Sequence, residues 1–200
     1  MKTMKKTFIL PFLMIVIFGL ESYGQNSLTD WSLTGNNSNS YKVDLDNSIY
    51  QNGEKSSFLE STESIIEGFG TLMQTCSAEE YLGKKVKMSG FIKTENLSDW
   101  VGLWLRIDPL NSISSKYFDN MGNRPIKGTT NWTKYEIILD VPINSYSMNF
   151  GVILSGTGKV WLDNLSFEII ENSVEKFDNS INYEIPHKLL SKPTNLDFEE

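Results

Sequence analysis

Residues Trp100 to Asp108 carry the constellation in this chain best suited to chemistry. Val101, Leu103, Leu105 and Ile107 share one face of a period-two alternation, and Trp100, Gly102, Trp104, Arg106 and Asp108 share the other. Two Trp on a solvent face mark an interface, because monomers rarely expose large apolar patches. These side chains suit a sugar. The C–H face of a sugar ring stacks on an indole, while Arg and Asp each bridge a pair of hydroxyls. Gly102, between the two Trp, leaves room for a ring. Gln74, Lys87 and Asn149 join from neighbouring strands if their outer faces point the same way. Asn120 and Arg124, in the long segment 111–131, would form a rim. The alternative is that segment 111–131 or the C-terminal residues cover this face. Trp100 and Trp104 would then form a small second core, and Arg106 and Asp108 a structural ion pair.

Catalytic patterns are absent. The chain has no Gly-x-Ser-x-Gly, no His-Glu-x-x-His and no Glu-x-Asp-x-x-Glu on a strand face. Gly156-Thr157-Gly158-Lys159 lacks the earlier Gly and the following Ser or Thr of a phosphate loop, and reads as a hairpin turn. Glu136 and Asp140 lie four residues apart on one strand face, roughly 13 Å by strand rise. That is too far for a glycosidase pair, whose carboxylates lie about 5–9.5 Å apart, unless another strand brings a second acid close. The single His, His187, stands beside Pro186 in a linker-like stretch. Cys76, the single Cys, has no His or basic pair nearby and reads as a buried free thiol. The chain is therefore expected to bind and not to catalyse.

Composition narrows the partners. With 18 Lys and Arg against 25 Asp and Glu, the net charge is −7. That excludes the basic footprint that nucleic acid needs. One Cys excludes an internal disulfide framework and any Cys-based zinc site, and one His excludes a His-rich metal centre. Residues 1–24 have the layout of a secretory signal peptide: Lys2, Lys5 and Lys6, then the apolar run Phe8–Leu20, then Ser22 and Gly24 before a cut at Gln25. As a helix the run rises about 20 Å, short of a ~30 Å hydrocarbon core. The expectation is a secreted or periplasmic protein with no stable membrane anchor after cleavage. No Cys follows the run, which excludes a lipid anchor there.

The surrounding elements read as strands. Lys85–Thr94 places Val86, Met88 and Ile92 opposite Lys85, Lys87 and Lys93. Trp132–Val141, Ser147–Ser155 and Lys159–Ile170 alternate likewise, the last with a change of phase near Asp163–Asn164 that marks a bulge. Ser40–Asp46, Ser56–Ser61 and Gly70–Cys76 are shorter. Ser77-Ala78-Glu79-Glu80 caps one short helical turn near residues 77–82. About eight strands with turns every 8–15 residues predict an all-β antiparallel sandwich, a jelly roll, over residues 25–170. Residues 171–200 read as a linker or tail. It ends in Asn195-Leu196-Asp197-Phe198-Glu199, which reads as the start of a second module.

Gly68-Phe69-Gly70-Thr71-Leu72-Met73-Gln74, Tyr81–Thr94, Asp99–Asp108, Phe118-Asp119-Asn120-Met121, Arg124–Trp132 and Gly156–Asp163 together resemble a bacterial jelly-roll module, galactose-binding-like or carbohydrate-binding-module-like. Such modules occur alone and appended to transcriptional regulators and secreted hydrolases. The resemblance spans roughly residues 30–170. It implies the fold and carries no activity of its own. Carbohydrate-binding jelly rolls often begin with Asn-x-x-Phe-Glu, whose acid helps hold a structural calcium. Here Asn26–Trp31 lacks the Phe-Glu, while Asp163 stands where another calcium ligand is often found. The expectation is no cofactor, with calcium at Asp163 the weaker reading. The partner is a carbohydrate, or a protein if the module is a structural remnant of a larger secreted hydrolase.

Overall fold

The structure is a computed structural model that describes residues 28–110, 117–172 and 189–200. The leader-like segment and His187 lie outside those residues. Ten strands form two five-stranded antiparallel sheets. They are β1 (Ser32–Thr34), β2 (Tyr41–Asp46), β3 (Ser56–Ser61), β4 (Phe69–Ser77), β5 (Lys84–Glu95), β6 (Trp100–Pro109), β7 (Phe118–Asp119), β8 (Thr130–Val141), β9 (Ser145–Ser155) and β10 (Lys159–Asn172). Sheet A runs β1-β4-β9-β6-β7 and sheet B runs β2-β3-β10-β5-β8. Apart from the consecutive pairs β2–β3 and β6–β7, neighbours within a sheet are distant in sequence. The all-β sandwich is as expected. The helical turn is a single 3-10 turn at Glu79–Tyr81, and the Ser77 hydroxyl accepts the Glu79 amide hydrogen.

Alternation explains the layers. Val101, Leu103, Leu105 and Ile107 of β6 face Met148, Phe150, Val152 and Leu154 of β9 across the register, all essentially without solvent exposure. Val86, Met88 and Ile92 of β5 cover them from sheet B. The change of phase in β10 is a register shift between Asp163 and Ser166, with Asn164 in the left-handed region at φ 47°.

Residues 194–200 lie across the sandwich and reach both sheets. The Trp31 indole donates to the Asn195 carbonyl at 3.0 Å, and the Leu165 amide of β10 donates to the Leu196 carbonyl at 2.9 Å. Phe198 is fully buried, 5.2 Å centroid to centroid from Trp31, which in turn stacks edge-on to Phe150. The Glu199 carboxylate accepts the amides of Glu54 and Lys55. The stretch read from sequence as a restart thus puts its aromatic residue into the core of this sandwich.

Candidate functional site

The outer face of sheet A is built in rows by the register. One row places Trp104 beside Gly151 of β9 and Met73 of β4. The next places Arg106 beside Asn149 and Thr75, and the one after places Asp108 beside Ser147 and Ser77. Gly151 has no side chain above the sheet. The Trp104 indole reaches from β6 past β9, and its Nε1–H donates to the Thr71 hydroxyl on β4 at 2.7 Å. Thr71 in turn donates to the Val152 carbonyl.

A cavity of about 300 Å³ sits above this row, lined by Phe69, Met73, Trp104, Arg106, Phe118 and Asn120 among others. Trp104 is only 8% exposed, so it is a floor and not a free-standing platform. Phe118 is 42% exposed and stands at the β7 edge as the open aromatic wall. Arg106 and Asp108 form a two-pronged ion pair, Nε to Oδ1 at 2.8 Å and Nη2 to Oδ2 at 3.0 Å. Asp108 also accepts the Asn149 amide at 2.8 Å, and Thr75 donates to the Asn149 carbonyl oxygen at 2.9 Å. The floor is thus apolar, with its polar atoms already bonded to one another, and the hydrogen-bonding groups stand on one side.

The face therefore joins Trp104, Arg106, Asp108 and Asn149, with Asn120 on the rim. The other expected residues stand elsewhere. A Cβ at Gly102 would lie 2.6 Å from the Asn120 carbonyl oxygen and close to Met121 and Trp100. Gly102 thus makes room for the backbone of the 111–131 segment and not for a sugar ring, and Trp100 lies beside that crossing. Gln74 is 1% exposed on the inward side of β4, where its amide donates to and accepts from the backbone of Thr194. Leu72 and Cys76 share its side of the alternation, so the inward placement follows from strand periodicity. Arg124 is held by Asp119 at 2.8 Å and by the Glu136 carbonyl, away from the cavity lining. Lys87 is on sheet B, paired with Glu168 at 2.6 Å.

Phe69, Met73 and Phe118 escaped the sequence reading. Phe69, Thr71, Met73 and Thr75 alternate on β4, a signal that was available. Phe118 lies on a two-residue strand, too short for any period to appear.

Asp163 is fully buried, and its carboxylate accepts amides of Gln51, Asn52 and Asn164. Burial raises its pKa above the ordinary value despite those bonds, and nearby Glu199 pushes the same way. Among the described residues no group of three or more His, Cys, Asp or Glu is placed to hold a metal ion. Glu136 and Asp140 are exposed on β8 beside Lys134 and Lys85.

No protein-family model matches the chain. It is 43% identical over 181 residues to an uncharacterized HTH-type transcriptional regulator, YbfP, of Bacillus subtilis (strain 168), a match covering 90% of this chain and 60% of that protein. The chain thus spans about 60% of the length of the curated relative it matches. The CBM22-1 xylan-binding domain of Paenibacillus barcinonensis Xyn10C superposes with a TM-score of 0.54 at 16% identity, over 74% of this chain and 90% of that one. The C-terminal family 22 carbohydrate-binding module of Clostridium thermocellum Xyn10B superposes with a TM-score of 0.51 at 12% identity, over 76% and 92%. The enzymatically active domain of bacteriophage CBA120 tailspike protein 4 gives 0.54 at 15%, over 74% and 20%. The chain shares the jelly-roll fold of carbohydrate-binding modules.

Proposed function

We propose that this chain is a non-catalytic module that binds carbohydrate on the outer face of sheet A. The observation that carries the reading is the cavity floored by Trp104, walled by Phe118 and flanked by the Arg106–Asp108 pair. An apolar floor suits the C–H face of a sugar ring, and the planar guanidinium of Arg106, held in place by Asp108, suits neighbouring hydroxyls. The site is preformed on strands, which limits the entropy lost on binding. Glycoside hydrolysis takes two carboxylates flanking the bond. Asp108, beside the cavity, is committed to Arg106 and Asn149, and no Asp or Glu is among the described residues that line the cavity. That supports binding without cleavage. The basic and apolar start of the chain supports action outside the cytoplasm.

The test is a glycan array probed with wild type and Phe118→Ala. Phe118 is exposed on a two-residue edge strand, so its loss leaves the core intact, whereas Trp104→Ala would also strip the partner from Thr71. Binding to neutral glycans is expected, weakened about two- to tenfold in Phe118→Ala, since an aromatic stacking contact contributes about 0.5–1.5 kcal/mol. Equal binding by both proteins, or none by either, would contradict the reading.

A second reading rests on the Bacillus subtilis relative. A module that accounts for 60% of a protein named as a regulator would serve there to sense a ligand or hold another domain. If this chain does the same, its sheet A face contacts protein. A pull-down in which Phe118→Ala loses a protein partner, with glycan binding absent, would favour that reading.

A further inference from the structure

We infer that a second cavity, along β1, is a further sugar subsite, so that sheet A holds an uncharged glycan chain across its width. This rests on the carbohydrate reading above. The second cavity, about 540 Å³, is lined by Asp30, Ser32, Thr75 and Leu190 among others. It adjoins the Trp104 cavity at Thr34 and Met73, which line both. The Thr34 hydroxyl touches the Met73 sulfur at 3.2 Å, so the two side chains form the sill between the cavities. From β7 to β1 the face crosses five strands, about 19 Å at the usual strand spacing. A single sugar occupies one cavity, and a chain lying over the sill reaches both.

The walls also specify charge. Arg106 is the only basic side chain among the described residues that line either cavity, and Asp108 already holds it. The second cavity offers the Asp30 carboxylate, one oxygen of which accepts the Thr194 hydroxyl at 2.8 Å, and the hydroxyls of Ser32 and Thr34, with an apolar side made by Met73 and Leu190. Gln74 and Thr75 also line it, but Gln74 is bonded to the Thr194 backbone and Thr75 donates to Asn149. A uronic or sulfated sugar finds no uncommitted cation there and meets Asp30. A neutral sugar finds hydroxyl partners and a surface for its C–H face. The net charge of −7 on the whole chain acts in the same sense.

Isothermal titration of neutral xylo- and β-1,4-galacto-oligosaccharides, two to six units long, and of oligogalacturonates provides the test. Ser32 is exposed on an edge strand, so Ser32→Trp fills the second cavity without touching the core. The hexasaccharide is expected to bind wild type at least tenfold more tightly than the disaccharide. Ser32→Trp should remove that gain and leave disaccharide affinity unchanged, while Phe118→Ala should weaken every length. Oligogalacturonates should bind at least tenfold more weakly than the neutral series. If Ser32→Trp binds the hexasaccharide like wild type while Phe118→Ala does not, the second subsite is wrong and the first stands. Equal affinity for charged and neutral chains overturns the charge argument. No binding by any oligosaccharide overturns both.

Discussion

At the scale of single residues, position in the strand alternation decides role more than residue type. Arg106 and Asp108 were legible as a pair on the outer face because the sequence of β6 alternates without interruption from Trp100 to Asp108. Gln74 has the chemistry of a sugar ligand but the phase of a core residue, and its amide serves the Thr194 backbone. Trp104 was legible as an outer residue. That it is buried was not, because the Thr71 hydroxyl that holds its indole belongs to β4, 33 positions away in sequence. Cys76 follows from the same logic. Burial, with Glu80 nearby, pushes its thiol up to about 12. The folded protein should therefore leave Cys76 unmodified by iodoacetamide at pH 8, with full alkylation only after denaturation. Mass spectrometry reads both, and fast labelling of the native chain would contradict the burial argument.

At the scale of elements, the long alternating strands were readable and the short ones were not. β5, β6, β8, β9 and β10 each carry enough repeats for one face to stand out. β1 and β7, with three and two residues, carry no period, yet they form the two edges of the candidate groove. The C-terminal segment was legible as an apolar-acidic unit but not by its partner, because Trp31 and Phe198 lie at opposite ends of the chain. Its ring sits between Trp31 and the core, bonded to sheet A through Gln74 and to sheet B through Leu165. Phe198→Ala should lower unfolding free energy by about 3–5 kcal/mol, the usual cost of emptying a buried aromatic site. Urea denaturation measures it, and a loss under about 1 kcal/mol would show that the segment is not part of the cooperative unit.

At the scale of the whole molecule, both outer faces carry a cavity, and the two faces differ in their walls. On sheet A the walls are Trp104, Phe118 and Met73. On sheet B a cavity of about 560 Å³ is lined by Glu60, Glu63, Glu95, Lys159 and Trp161 among others, with the Lys159 ammonium 3.9 Å from the Phe58 ring centroid and 4.6 Å from that of Trp161. Trp161 also donates to Asp46 at 2.8 Å. Burial pushes the Asp46 carboxyl up, but bonds from Ser48, Trp161 and the amides of Ser48 and Ile49 outweigh it and hold the pKa at about 2. A depressed carboxylate contributes stability that is present above its ordinary 3.8 and lost as pH falls toward about 2. Asp163, raised by burial, acts in the opposite sense and is relieved as pH falls. Thermal melts should show wild type losing stability between about pH 4 and pH 2, with a shallower loss in Asp46→Asn. Parallel curves for the two proteins would contradict this assignment.

The proposed ligand site is the outer face of sheet A. The most direct measurement is a nuclear magnetic resonance titration of the ¹⁵N-labelled chain with xylohexaose, then with galactohexaose. Shifts are expected at the Trp104 indole N–H, the Arg106 side chain and the amides of Thr71, Met73 and Phe118, with sheet B unchanged. Shifts clustered around Trp161 and Lys159, or none with either oligosaccharide, would contradict it.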